Sequence, residues 1–134
     1  PQRLPLMKPP YGRITAIDLN SGEHLWMIPN GDTPESIKDH PALEGLEIGI
    51  TGKPTRAGIL VTKTLVFAGE GAGGDSVLRA HDKSTGAILA EIDLPGSQTG
   101  LPMTYSLEGK QYIVVAVGGT SDRSAELVAL TLPD

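Results

Sequence analysis

Short apolar runs alternate with Gly-, Pro- and Asp-containing turns along the whole chain. The runs Leu25-Trp26-Met27-Ile28, Leu65 to Gly69, Ile88 to Ile92 and Gln111 to Val117 have the length of strands rather than helices, and breaker residues bound them. Gly58 to Thr62 and Leu65 to Gly69 predict a hairpin around Lys63-Thr64. Leu101 to Ser106 and Gln111 to Val117 predict a second, around Glu108-Gly109-Lys110. Gln111-Tyr112-Ile113-Val114-Val115-Ala116-Val117 is nearly all apolar, which predicts burial of both faces, as in a sheet packed between two others.

The pattern also repeats. Thr15-Ala16-Ile17-Asp18-Leu19-Asn20-Ser21-Gly22 aligns with Arg79-Ala80-His81-Asp82-Lys83-Ser84-Thr85-Gly86. Each copy runs on into an apolar stretch and stops at a Pro-containing turn, Pro29-Asn30-Gly31 or Pro95-Gly96. Each unit therefore reads as strand, tight turn, strand. The Asp (Asp18, Asp82) bonds nearby backbone amides in the turn, and the Gly (Gly22, Gly86) accepts positive φ. Glu126 to Leu132 is a third, partial copy that holds only the first strand.

In chain order the strands fall into groups of four. Residues 58–93 hold one complete group, 13–28 the last two strands of the group before it, and 101–132 the first three of the group after it. Four-stranded antiparallel sheets repeated in sequence are the blades of a β-propeller. The expected fold is thus all-β: one propeller domain over residues 1–134, with about two to two and a half blades and the last group as the closing blade. Residues 30–57 interrupt the pattern as an inter-blade excursion. There, Asp32 or Thr33 as cap and Pro34 in the first turn predict one short helix to about Asp39.

Composition narrows the function. The net charge of −5, with scattered Lys and Arg, argues against a nucleic-acid partner and an anionic membrane surface. The absence of Cys excludes a disulfide framework and a thiolate metal site. No apolar run approaches the roughly 20 residues that span a bilayer, and no signal peptide is visible. The chain opens on Pro1 in a Pro-rich stretch and reads as a segment of something longer.

Ala16-x-Asp18-x-x-x-Gly22-x-x-x-Trp26 resembles the tryptophan-docking motif of quinoprotein dehydrogenase propellers. The blocks Pro9-Pro10-Tyr11-Gly12-Arg13, Trp26-Met27-Ile28-Pro29-Asn30-Gly31-Asp32, Pro102-Met103-Thr104-Tyr105 and Gly109-Lys110-Gln111-Tyr112 through Gly118-Gly119 are similar to the C-terminal region of the membrane-bound glucose dehydrogenase branch. The resemblance implies an eight-bladed propeller with pyrroloquinoline quinone (PQQ) and Ca²⁺ on its axis. It implies periplasmic oxidation of a sugar or alcohol, with electrons passing to a quinone or cytochrome. It also implies that the base and metal ligands come mainly from earlier blades, so neither a catalytic residue nor a metal ligand is assigned here. The piece alone is then expected to bind no cofactor and to be inactive.

In that family the Trp packs on the Ala and Gly of the neighbouring blade. Ala16, Asp18, Gly22, Trp26, Ala80, Asp82 and Gly86 are therefore expected to dock blades; the second copy has Ala90 where the Trp would stand. Gly118-Gly119 matches a segment near the cofactor and is either part of its wall or an ordinary turn. The glucose enzymes carry His after these glycines, where this chain has Thr120, and alcohol-oxidising relatives have a Trp at about Gly119, departures that bear on the substrate.

The remaining candidates read as structural. His24, His40 and His81 lack metal-ligand spacing: His24 and His81 fall on strands, and His40 belongs to the excursion. Gly69-Glu70-Gly71-Ala72-Gly73-Gly74-Asp75 lacks the Gly-Lys-Ser/Thr ending of a phosphate loop and opens no helix. It is either a flexible hairpin turn or a loop at the propeller mouth. A non-catalytic propeller scaffold for protein binding is the alternative function. The expected partners are the upstream blades and, through the unpaired last strand, a second copy.

Overall fold

The computed structural model describes residues 4–133, and nearly all regular structure among them is β. The chain divides into two compact units, Pro1–Pro54 and Thr55–Asp134.

In the first unit, β1 (Arg13–Ile17) pairs antiparallel with β2 (His24–Pro29), with Ala16 opposite Trp26 and a register shift after Ala16. Asp18 closes the turn: its Oδ1 accepts from Asn20 N at 2.7 Å and Ser21 N at 3.1 Å, while Gly22 stands at φ 76°. The excursion folds back onto the open end of this hairpin. Tyr11 N–H donates to Thr51 O at 2.7 Å, Asn30 N–H to Gly12 O at 3.0 Å and Lys53 N–H to Asn30 O at 2.8 Å. A Cβ on Gly12 would fall 1.9 Å from Lys53 O, so only glycine lets the two segments meet.

The helix of the excursion, α1 (Glu35–Lys38), is shorter than expected, and no side chain caps it. Both expected caps are engaged elsewhere. The Thr33 hydroxyl donates to Gly49 O and accepts from Thr51 N, both at 3.1 Å, which ties the two arms of the excursion together. Asp32 accepts from Thr33 N at 2.6 Å and pairs with Lys38 at 2.7 Å. Pro34 occupies the cap position. A 3₁₀ turn follows at Pro41–Leu43, where His40 Nδ1 accepts from Ala42 N at 3.1 Å.

The second unit holds two sheets. β3 (Ile59–Val61), β4 (Leu65–Gly69), β5 (Val77–Asp82) and β6 (Ile88–Asp93) form a four-stranded antiparallel sheet in chain order. β7 (Met103–Leu107), β8 (Lys110–Val117) and β9 (Glu126–Leu130) form a three-stranded one. The β5–β6 turn reproduces the first repeat. Asp82 Oδ1 takes Ser84 N at 2.8 Å and Thr85 N at 3.1 Å, Gly86 stands at φ 78°, and the register shifts after Ala80. Ala90 stands opposite Ala80, where the first repeat has Trp26 opposite Ala16. The β7–β8 turn is tighter than expected: Lys110 already pairs with Leu107, so only Glu108 and Gly109 remain in the turn, both at positive φ.

Period-2 alternation decides what is buried. Phe67, Leu78 and Ala80 from the first sheet meet Val115 and Val117 from the second, with Leu94 between them and Ile113, Val128 and Leu130 at the margin. Burying each larger side chain of this set contributes about 1.5–3 kcal/mol. The expectation that both faces of β8 are covered holds for one face only. Tyr112, Val114 and Ala116 are half-buried, and the same face continues into exposed Met103, Tyr105, Leu107 and Leu127. Tyr105 and Tyr112 stack there at 5.2 Å. An apolar run marks a strand that two layers can cover, but it does not say that the chain in hand contains both layers.

Candidate functional site

Three connections gather at one end of the second unit: 70–76 after β4, 94–102 after β6 and 118–125 after β8. Antiparallel pairing sends every second connection to the same end of a sheet, so chain order alone brings the first two together. Gln98 joins them. Its side chain is 1% exposed. Oε1 accepts from Gly69 N at 2.9 Å, and Nε2 donates to Gly58 O and Gly100 O, both at 2.7 Å. Its backbone bridges to Val117, with Gly118 N–H donating to Ser97 O and Thr99 N–H to Ala116 O, each at 2.9 Å. Ser97 Oγ donates to Gly74 O at 3.3 Å, which ties the first connection to the same strip.

The glycine-rich connection 70–76 is built around a buried ion pair. The Glu70 side chain is 0% exposed, and its carboxylate accepts from Arg79 Nη1 at 2.6 Å and from Asp75 N at 2.9 Å. Arg79 also bonds Glu91. Burial alone would lower the Arg79 pKa; the hydrogen bonds to Glu91 and Glu70 outweigh it and hold the guanidinium above its ordinary value. The segment is the connection of the β4–β5 hairpin, organised by its own carboxylate and tied to Ser97.

Gly118 and Gly119 lie on the last of the three connections. A Cβ on Gly119 would sit 2.7 Å from Arg123 O and 2.8 Å from Ala125 N, so the loop folds back directly over this residue. Thr120 N–H donates to Arg123 O at 2.8 Å and closes it. Gly96 leaves room for a cation: a Cβ there would lie 2.6 Å from Arg123 Nη2 and 2.8 Å from Gly118 O. The Arg123 guanidinium thus rests on the backbone at Gly96 beside Gly118. Its Nε is buried without a hydrogen-bond partner and stands 3.6 Å from Glu126.

Other candidates lie elsewhere. Asp82, Gly86 and His81 sit at the opposite end of β5 from the 70–76 connection. Asp18 and Asp82 titrate below their ordinary value: backbone bonds from Asn20 and Ser21 hold Asp18 down, and bonds from the Ser84 side chain and backbone hold Asp82 down. His24 is exposed. His81 is 2% exposed; Nδ1 lies 3.0 Å from Gly86 O, and Nε2 has no hydrogen-bond partner among the described residues. Among the described residues, no group of three His, Cys, Asp or Glu side chains could hold a metal ion. Sequence reasoning missed Gln98, Glu70 and Arg123. The one available signal was a carboxylate set among glycines that precede a strand carrying Arg79.

Comparison with known proteins bears on the identity of this end. Residues 1–113 match the family model described as glucose/ethanol/alcohol dehydrogenase, β-propeller domain, with PQQ as its short name. A probable quinate dehydrogenase (quinone) of Xanthomonas campestris pv. juglandis is 40% identical over 98% of this chain and 17% of its own length. The glycerol dehydrogenase large subunit of Gluconobacter thailandicus is 37% identical over 95% of this chain and 17% of its own. Quinoprotein glucose dehydrogenase A of Acinetobacter calcoaceticus is 33% identical over 100% of this chain and 17% of its own. The chain therefore spans about a sixth of these relatives' length. The quinohemoprotein alcohol dehydrogenase of Comamonas testosteroni shares the fold, with a TM-score of 0.63 at 23% identity over 98% of this chain and 19% of that one. The four-stranded unit, the repeated Asp–Gly turn and the family match lead to one conclusion: this chain is a piece of a β-propeller and belongs to the PQQ-dependent glucose/ethanol/alcohol dehydrogenase family.

Proposed function

We propose that the chain is the C-terminal part of a periplasmic PQQ- and Ca²⁺-dependent dehydrogenase that oxidises a sugar or alcohol and passes the electrons to a quinone or cytochrome. The observation that carries this reading is the convergence of three connections on Gly118, locked by Gln98 and Ser97. A flat conjugated cofactor needs a wall without side chains. Gly118 carries no side chain and fits one side of such a group, while the Cβ direction of Gly119 is taken up by its own loop at Arg123 O and Ala125 N.

Bound PQQ supplies the acceptor for the electron pair and protons that leave the alcohol as it becomes a carbonyl compound. This chain's share is to hold the wall. Gln98 fixes the entry to the 70–76 connection, the Glu70–Arg79 pair fixes its shape, and the 118–125 loop presents backbone. No base or metal ligand is assigned to it. Ala16, Asp18, Gly22, Trp26, Ala80, Asp82 and Gly86 keep their reading as blade-docking elements. Removing the Trp26 ring is then expected to cost stability while leaving the chemistry of a folded enzyme in place.

The upstream blades are the natural cover for the open face of β7–β9. Without them, exposed Met103, Leu107 and Leu127 and the edge strand β9 favour association, so the isolated chain is expected to form dimers or larger species and to bind no cofactor. The test compares the longer polypeptide with this chain alone, each given PQQ, Ca²⁺, a polyol panel and a dye acceptor. Turnover by the longer protein only is the expected result. Turnover by neither, with the longer protein folded, favours the scaffold reading. Robust turnover by the isolated chain, or its persistence as a monomer in light scattering, contradicts the corresponding part of the proposal.

A further inference from the structure

At the end of the second unit opposite Gln98, the two sheets do not close on each other. A cleft of about 770 Å³ remains between them. One wall is the cross-strand row Phe67, Ala80 and Ala90, in register across β4, β5 and β6. The other wall holds Ile113 and Leu130, partners across β8 and β9. The space comes from the first wall, where Ala80 and Ala90 contribute only methyl groups. In the first repeat the place of Ala90 is taken by an indole, Trp26 opposite Ala16. Phe67 and Ala80 are buried at the floor and Ala90 is exposed, so the cleft opens to solvent.

A largely apolar cleft of this size, with a polar group at one point, has the form of a small-molecule site. The polar group is at the mouth. Glu108, in the β7–β8 turn at φ 51°, lines the cleft, and its carboxylate has no partner among the described residues. Lys110, on the same rim, is already engaged. The unmatched charge at the entrance is therefore negative. The slot lacks the ring that the first repeat carries, and the carboxylate lacks a cation. One molecule supplies both: an aromatic ring on a short cationic arm.

We propose that this cleft binds a small aromatic amine, with the ring between Ala80, Ala90 and Ile113 and the ammonium at the Glu108 carboxylate. The site lies at the far end of the sheets from Gly118 and stands independently of the dehydrogenase reading. Burial of the ring against Phe67, Ala80 and Ile113 is the main source of affinity. The ion pair at the exposed mouth adds less and sets the preference for an amine. The amine is bound without chemical change.

The test uses the longer polypeptide without PQQ, so its outcome does not depend on turnover. Calorimetry follows tryptamine, with indole as the ring without the charge and butylamine as the charge without the ring. Tryptamine is expected to bind with Kd below about 1 mM. Indole is expected to bind roughly two- to fivefold more weakly, as an exposed ion pair allows, and butylamine not measurably. Ala90→Trp supplies the missing ring from the chain itself and is expected to weaken tryptamine at least about tenfold. Ala90→Leu fills less of the space, guards against an overpacked Trp variant, and is expected to weaken it at least about threefold. Glu108→Gln is expected to bring tryptamine down to the level of indole, with indole itself within about twofold. Thermal unfolding establishes that each variant is folded; tryptamine should raise the wild-type midpoint with concentration, and less so in Ala90→Leu. No tryptamine binding to wild type overturns the proposal, and so does undiminished binding in folded Ala90 variants. Butylamine as tight as tryptamine, or a Glu108→Gln protein that still prefers tryptamine to indole, overturns the assignment of ligand class. Displacement of tryptamine by added PQQ overturns the assignment of place, because the amine then sits in the cofactor's site.

Discussion

The Gln98 side-chain oxygen accepts the backbone N–H of Gly69 at 2.9 Å, across 29 residues of sequence, with the whole side chain withdrawn from solvent. A Cβ on Gly69 would sit 2.4 Å from that oxygen, so the glycine and the glutamine form one fitted pair. The amide nitrogen completes the arrangement on Gly58 O and Gly100 O. Replacing Gln98 by Leu removes the side-chain partner of the buried Gly69 N–H and of the half-buried Gly58 and Gly100 carbonyls. We expect a loss of about 3–5 kcal/mol in denaturant unfolding. Gln98→Glu keeps the shape but sets a carboxylate against two carbonyls, which favours the protonated form and raises that carboxyl's folded pKa. Its stability relative to wild type is then greatest below about pH 4.3, the unfolded value, and falls as pH rises through the folded one. A difference that does not change with pH would show that the amide nitrogen contacts carry little.

The Glu70–Arg79 pair makes a second prediction. Glu70→Ala leaves the Arg79 guanidinium, 14% exposed, with the half-exposed Glu91 as its one carboxylate partner among the described residues. Breaking a buried pair from one side costs about 3–5 kcal/mol. Replacing both residues, Glu70→Leu with Arg79→Met, is expected to cost less than the sum of the single changes, since no charge is left buried. A double-mutant cycle measures this; strict additivity would mean that the pair is not coupled.

Acid sensitivity follows from the repeated turn. Asp18 and Asp82 are both held below their ordinary value, 3.8, by hydrogen bonds to the ionised carboxylate. A group lowered in the folded state contributes stability that is fully present above its unfolded pKa and is lost as pH falls through the lowered folded value. Unfolding titrations of Asp18→Asn and Asp82→Asn should therefore lose part of the wild-type acid dependence below about pH 4. Variants with an unchanged acid limb would place that dependence on other carboxylates.

Local signals carried the parts of the fold that local chemistry decides. The Asp–Gly turn was legible twice because each copy is closed by residues within a few positions, and Asp18 and Asp82 bond the amides two and three residues on. The strand runs were legible because breakers bound them, and the complete group appears as the sheet β3–β6. The helix cap was misread because Thr33 has a partner at Thr51, far along the chain, that outcompetes the local cap. Gln98 was invisible for the same reason: its partners lie at Gly58 and Gly69, and nothing in Gly-Ser-Gln-Thr-Gly marks a buried residue. Gly118 and Gly119 could be picked out only through resemblance, and Arg123 becomes visible only when Gly96 is seen beneath its guanidinium.

The central claim is that the Gly118 wall faces the cofactor. Gly118→Leu tests it most directly; a Cβ there would lie 3.0 Å from Thr99 Cγ2 and 3.7 Å from Ser97 O, so the change is made in, and compared with, a Thr99→Ser background that removes the crowding methyl. PQQ affinity is measured by titrating the longer apoprotein and following the cofactor's absorbance, with thermal unfolding of the unloaded protein as a control. The account predicts at least a roughly tenfold weaker affinity with little change in unfolding temperature, as expected when a bulky group intrudes on a close-packed ring face. Unchanged affinity in a protein that remains folded would contradict it and return Gly118-Gly119 to the status of an ordinary turn.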